Sequence, residues 1–180
     1  MQPAATPITR DIVLIGGGHS HVGVLRMFAM RPLAGVRLTV ICTDTDTPYS
    51  GMLPGYIAGH YDFDEVHIDL RRLAEATGAR YYRDEVIGID RAARKVLCRT
   101  RPAVAYDALS INIGSTPQLS SVEGAADYAV AVKPIRRFNE RWLALLARVR
   151  EHAGPTTIAV IGAGAGGVEL TLAMQYRLRS

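Results

Sequence analysis

The residues that most restrict how this chain can fold are Asp11 to His21, Asp-Ile-Val-Leu-Ile-Gly-Gly-Gly-His-Ser-His. Ile12 to Ile15 are β-prone and run without alternation, the pattern of a strand buried on both faces of a parallel sheet. They lead straight into Gly16, Gly17 and Gly18. A glycine turn that leaves such a strand and opens a helix presents backbone N–H groups at the positive end of the helix dipole, a seat for a pyrophosphate. The dinucleotide fingerprint is G-x-G-x-x-G. Gly16 and Gly18 fill its first two places, but His21 stands at the third, where glycine normally lets helix and strand pack closely.

A second unit strengthens the reading. Ile158 to Ile161 precede Gly162-Ala163-Gly164-Ala165-Gly166-Gly167-Val168-Glu169, in which Gly162, Gly164 and Gly167 complete the pattern. One match could be an ordinary glycine loop; two strand-glycine-helix units in one chain favour a protein built around dinucleotides.

A chain of 180 residues is long enough for one good core, or for one domain and part of another. With 48% hydrophobic and 21% charged residues it reads as globular rather than disordered. The net charge of +4 is spread in short doublets such as Arg71-Arg72 and Arg136-Arg137. That is a solvated helix face rather than a nucleic-acid stripe, and no nucleic-acid motif is present. No run of about 18 apolar residues is found, so no membrane segment is expected. Met1 to Thr9 lack a basic start and an apolar core, which leaves the cytoplasm as the expected location. Cys42 and Cys98 form no close pair, which argues against a metal site and a local redox disulfide.

Along the chain, His19 to Arg31 reads as a helix stopped by Pro32, and Val36 to Ile41 as a second strand. The end of that strand normally carries an acid for the ribose hydroxyls about 20 residues past the turn. Cys42 and Thr43 stand there instead, so ribose binding falls to Asp44, a hydroxyl or the backbone, with loop capping as the other role for Asp44. Thr47 to His60 holds two prolines and three glycines and reads as a sharply turning segment. It is either a wall against a flat cofactor ring, with the N–H groups of Ser50 to Leu53 reaching ring heteroatoms, or a structural loop.

Ile68 to Thr77 is an amphipathic helix capped by Gly78. Short strands at Arg80 to Arg83, Glu85 to Asp90, Lys95 to Arg99 and Ala103 to Tyr106 read as a β-meander inserted into a parallel α/β sheet, before a return strand at Ala108 to Ile113. Val130 to Pro134 reads as a connecting strand and Ile135 to His152 as a helix. Residue 180 then falls in the helix after the second glycine turn, so a truncated second domain is expected. The expected architecture is a doubly wound α/β fold: an FAD-binding Rossmann-like domain over 1–132, lacking its C-terminal return segment, then a crossover helix and the first strand-turn-helix of an NAD(P)-binding domain over 133–180.

These residues resemble the two-dinucleotide-binding-domain flavoproteins, the pyridine nucleotide-disulfide oxidoreductase family. The combination of Gly16-Gly17-Gly18-His19-Ser20-His21 with Thr47 to Gly55, Ile113 to Pro117 and Val132-Lys133-Pro134 is similar to the type-II NADH-dehydrogenase-like flavoproteins fused ahead of selenide, water dikinase. The resemblance implies that Gly16, Gly18, His19, Ser20 and His21 surround the FAD pyrophosphate. Pro48, Ser50, Gly51, Met52 and Leu53 would line the isoalloxazine, with Asp44, Val86, Gly114 and Ser115 as further FAD contacts. Gly162, Gly164 and Gly167, with Glu169, would bind NAD(P)H. Its disulfide members carry C-x-x-x-x-C where this chain has Tyr49 to Pro54, so no dithiol relay is expected in that segment.

The expected activity is hydride transfer from a nicotinamide to FAD and onward to a small-molecule acceptor. Lys133 is the one candidate to approach flavin or acceptor, with a surface lysine as its other reading. His19 and His21 read as hydrogen-bonding or packing groups rather than proton donors. A flavin-free nicotinamide enzyme and a non-catalytic regulatory module remain as alternatives, the latter fused to a partner such as selenide, water dikinase. A homodimer is a further expectation, and the 180 residues alone are expected to be inactive.

Overall fold

The computed structural model describes residues 6–117, 119 and 121–180, so residues 1–5 of the leader reading lie outside it. The chain divides into two compact units, Met1–Thr47 with Ile68–Gly114, and Pro48–His67 with Ser115–Ser180.

In the first unit β1 (Arg10–Ile15), α1 (His19–Met30) and β2 (Val36–Cys42) form the expected strand-helix-strand beginning. The chain leaves along β3 (Asp46–Pro48) and returns along β4 (His67–Asp69), α4 (Leu70–Thr77) and β5 (Arg80–Arg83). Strands β6 (Val86–Asp90), β7 (Lys95–Cys98) and β8 (Val104–Ala105) precede β9 (Ala108–Ile111). The sheet is parallel, in the order β5-β2-β1-β9. Crossovers place strand order away from chain order, as in doubly wound folds.

The unbroken apolar run of β1 is explained by what covers it. Val13 and Ile15 pack with Ile41, Val96 and Cys98 on the meander side, while Leu14 packs with Leu25 of α1, Leu38, Val40 and Leu70 of α4. The sheet is therefore sandwiched, and both faces of β1 are apolar because both are buried. At the strand starts, Asp11 is opposite Arg37 in the β1–β2 ladder and accepts from its Nε and a terminal nitrogen at 2.5 and 2.8 Å. The Asp11 N–H donates to Asp107 Oδ2 and the Asp107 N–H to the Asp11 carbonyl, each at 2.8 Å.

Four expectations are corrected. Arg80–Arg83 belongs to the parallel sheet, paired with β2, and the antiparallel meander is β6-β7-β8 alone. Tyr81 and Tyr82 point to opposite faces of the sheet, one packing with the helix-side cluster and the other with the meander side. Residues 130–134 form no strand. Thr47 to His60 is largely helical: a single 3-10 turn, Ser50–Met52, runs into α2 (Leu53–Ala58), with Pro54 in the first turn and Gly59 in the left-handed conformation as its cap.

Ile158–Ile161, finally, form no strand. Val160 is exposed and Ile161 is 91% exposed. A parallel strand needs a ladder partner for its N–H and C=O groups, and the described residues of the second unit otherwise hold helices to which it cannot bond.

Those helices are α2, α3 (Phe63–Val66), α5 (Ala125–Tyr128), α6 (Ile135–Glu151) and α7 (Ala165–Arg179). Leu53 and Ile57 of α2, Ile135, Phe138 and Trp142 of α6, and Leu170 and Ala173 of α7 make a core shared by these three helices. No helix among the described residues is long and apolar enough to cross a membrane.

Candidate functional site

The first glycine turn follows β1 and ends at α1. Gly16 donates its N–H to the Ile41 carbonyl at 2.8 Å and lies at φ +90°, a region open to glycine. A methyl group on it would strike the Asn112 backbone. Gly18 donates to the Asn112 carbonyl at 3.1 Å, and Asn112 donates to the Ile15 carbonyl at 2.8 Å. The turn is thus seated on the residue that leaves β9. Gly18 is the N-cap of α1, no side chain caps the helix, and no acidic residue stands in its first turn. This leaves the dipole end without a competing carboxylate, the condition for an anion.

His21 explains the missing third glycine. Its ring is buried, 1% exposed, with Nδ1 2.7 Å from the Gly16 carbonyl oxygen and Nε2 2.9 Å from Ser110 Oγ. The carbonyl can only accept, so Nδ1 carries a proton; the other nitrogen meets a hydroxyl that can donate or accept. Where a glycine would let α1 approach the sheet, the imidazole ties α1 to the turn and to β9. His19 and Ser20 are exposed at the helix mouth.

At the end of β2, Asp44 is half-buried; its carboxylate accepts from the Thr43 hydroxyl at 3.3 Å and its carbonyl from the Tyr81 hydroxyl at 2.9 Å. Cys42 occupies the place where an acid was expected. Burial pushes its thiol up, partly offset by the backbone N–H groups of Asp44, Gly17 and Thr43, so it is held as a thiol rather than a nucleophilic thiolate. Cys98 packs in the cluster on the other side of the sheet, and both cysteines are free. Val86 packs beneath the meander against the Val13–Ile41 cluster. Gly114, past β9, lies at φ +79°. No cluster of metal-ligating side chains occurs among the described residues.

In the second unit, Pro48 ends β3 and Ser50, Gly51 and Met52 form the 3-10 turn. The Met52 N–H donates to the Tyr49 carbonyl at 2.9 Å and the Leu53 N–H to that of Ser50, so two of the four donors expected to face a ring are engaged within the turn. The Leu53 side chain belongs to the helical core. Lys133 Nζ lies 3.5 Å from Ser115 Oγ, at the outer limit of a hydrogen bond.

The second glycine turn has Gly162 at φ +111° and Gly164 as the uncapped N-cap of α7, again without an acid in the first turn. A side chain at Gly167 would run into the Gly162 carbonyl, so here the third glycine does meet the close packing it is associated with. Glu169 is exposed one turn further on. Sequence reasoning missed Asn112 and Ser110. Their signal was a pair of polar residues two apart in an apolar strand, Ser110-Ile111-Asn112-Ile113, which reads as ordinary alternation until the fold brings them to the turn.

A family model described as pyridine nucleotide-disulphide oxidoreductase matches residues 10–177. A curated relative, the NADH dehydrogenase-like protein YutJ of Bacillus subtilis, is 26% identical over 168 residues, covering 89% of this chain and 44% of the relative. The chain thus spans less than half the length of that protein. Among solved structures, NDH2 of Plasmodium falciparum in complex with NADH superposes with a TM-score of 0.76 at 19% identity, over 91% of this chain and 36% of that one. The sulfide:quinone oxidoreductase of Aquifex aeolicus gives 0.72 at 19% identity, over 95% of this chain and 40% of that one. At such identities these two likenesses speak to fold.

Proposed function

The chain belongs to the pyridine nucleotide-disulphide oxidoreductase family, and from that premise we propose that it carries the FAD turn and the NAD(P)H turn of an NADH dehydrogenase-like oxidoreductase that passes electrons to a small-molecule acceptor in the cytoplasm. The observation that carries the reading is the first glycine turn, with its uncapped, acid-free helix end and its seat on Asn112. That geometry fits a pyrophosphate, because backbone N–H groups rather than side chains are left to meet it. The relation to an NADH dehydrogenase-like protein supports the choice of activity within a broad family.

When bound, the flavin supplies hydride acceptance from a nicotinamide. The chain's own part is to bind and to orient. Gly16 and Gly18 admit close approach, His21 and Asn112 hold the turn, and Asp44 stands at the end of β2 where ribose hydroxyls are met. Gly162, Gly164 and Gly167 form the corresponding seat in the second unit. Cys42 and Cys98 are both free, on opposite faces of the sheet, and this reading assigns neither of them a redox role.

The test is the visible absorbance of purified protein after incubation with FAD, followed by addition of NADH without air. Flavin bands that stay with the protein through gel filtration and then bleach support the proposal. Failure to retain flavin, with tight retention of NADH, would transfer the first turn to a nicotinamide role.

A further inference from the structure

A second concave site lies in the first unit, at the end of the parallel sheet remote from its glycine turn. β1 runs from Asp11 at this cavity to Gly16 at the turn, a separation of about 17 Å at strand rise. The cavity is about 350 Å³, with residues 102–105 lining it beside Asp11, Arg37, Thr39, Arg80, Tyr82 and Arg101. Strand register explains why these side chains meet. Arg37 is opposite Asp11, Thr39 is opposite Arg80, and alternation along β2 and β5 puts Arg37, Thr39, Arg80 and Tyr82 on one face.

Three guanidinium groups line a space with one lining carboxylate, so positive charge is in excess even with Asp84 behind Arg101. Two of the arginines are fixed in direction. Arg37 is gripped by Asp11 through Nε and one terminal nitrogen. Arg101 donates Nε to Asp84 at 3.2 Å and lies 4.0 Å over the Tyr82 ring. A guanidinium has five N–H donors, and each of these arginines keeps donors beyond the ones so used. The Arg80 side chain makes no hydrogen bond or ion pair with the described residues.

The hydroxyl of Thr39 is the independent sign of a ligand. Thr39 is 2% exposed, lines the cavity, and its side chain has no hydrogen-bond partner among the described residues. With the residue buried and its hydroxyl unbonded within the described residues, the cavity is the side from which that hydroxyl is met, by water or by a ligand. Fixed guanidinium forks and a hydroxyl around one space are the donor set of phosphate recognition. The volume lies at the small end of ligand cavities, about 300–1,000 Å³, and far exceeds the ~30 Å³ share of one water. It has room for a phosphate with a small organic group attached.

We propose that this cavity binds a small phosphomonoester, its phosphate held by Arg80, Arg37, Arg101 and the Thr39 hydroxyl, at a site separate from the dinucleotide turns. Calorimetric titration of the protein with inorganic phosphate and with glycerol phosphate, each at ionic strength matched with sodium chloride, tests it. Both should bind, the ester at least as tightly as phosphate. Arg80→Gln and Thr39→Val should each weaken binding, the former about tenfold, while Arg26→Gln on the exposed surface of α1 leaves it unchanged. Near-ultraviolet circular dichroism checks that each variant keeps its packing, and the two variants act through different donors. No binding above the chloride reference overturns the proposal. Binding undiminished in Arg80→Gln and Thr39→Val overturns it too, by placing the phosphate on a glycine turn. Phosphate binding without ester binding overturns the assignment to a phosphomonoester.

Discussion

The imidazole Nδ1 of His21 stands 2.7 Å from the carbonyl oxygen of Gly16, so the residue that breaks the glycine pattern closes the turn that the pattern begins. Its other nitrogen meets Ser110 of β9. One buried side chain thus adds to the backbone bonds of Gly16 to Ile41 and of Gly18 to Asn112 in fastening turn and helix to the sheet.

Restoring the fingerprint should therefore do harm. His21→Gly removes two hydrogen bonds and leaves a void in the space the ring fills, for an expected loss of about 2–4 kcal/mol. Urea unfolding checks this, with flavin retention measured beside it. A variant as stable as the parent chain would show that the ring is dispensable.

Glycines in and after the turn should respond in opposite ways. At Gly17 a methyl group would meet Leu70 Cδ1, with Cys42 Sγ at 3.3 Å. Leu70 is fully buried, so Gly17→Ala should destabilise by about 1–3 kcal/mol. Gly23, inside α1, has open space around it, and Gly23→Ala should stabilise by about 1 kcal/mol. Thermal midpoints of the two variants, compared with the parent, decide the point.

Asp84 should govern part of the acid limb. Burial alone would raise its carboxyl, but the Thr100 hydroxyl, the Glu85 and Thr100 N–H groups and Arg101 together hold it below the usual carboxylate range. A carboxyl lowered on folding contributes stability above its unfolded value, about pH 4, and that contribution is lost as pH falls through the lower folded value. Asp84→Asn should flatten the stability profile below about pH 5 while lowering the plateau. An unchanged acid limb would assign the effect to other carboxylates.

Asn139 offers a gain. Its side-chain nitrogen and oxygen are both buried on α6 without a partner among the described residues, beside Phe138 and in the same helix as Trp142. Asn139→Leu should stabilise the second unit by about 1–3 kcal/mol, since an unsatisfied amide is exchanged for an apolar group of similar volume. Denaturant unfolding followed by Trp142 fluorescence reads it directly, and a loss would mean that the amide is satisfied in solution.

Much of the fold was legible because it is written locally. The unbroken run Ile12–Ile15 and the spacing of Phe138 and Trp142 each state their burial within a few residues. The failures are non-local. Arg80–Arg83 shows strand character but not which partner it takes, and Ile158–Ile161 has the composition of a strand without a neighbour to bond. Pro54 and Gly59 read as loop punctuation, though a proline in the first turn and a glycine just past the end also bound a helix. The glycine turn itself was visible from its spacing. What holds it was not, since His21 reaches Ser110 across 89 positions of sequence.

The tie among Arg37, Asp11 and Asp107 also bears on how the sheet is assembled. Sliding β2 by one residue against β1 would carry Arg37 to the opposite face and leave the Asp11 carboxylate facing an apolar neighbour. On the other side of β1, the Asp11 N–H donates to the Asp107 carboxylate and the Asp107 N–H to the Asp11 carbonyl, which fixes the start of β9 at the same level. Mispaired sheets are thereby disfavoured, and the three strand starts act as an index mark that sets the phase of every residue up to the glycine turn.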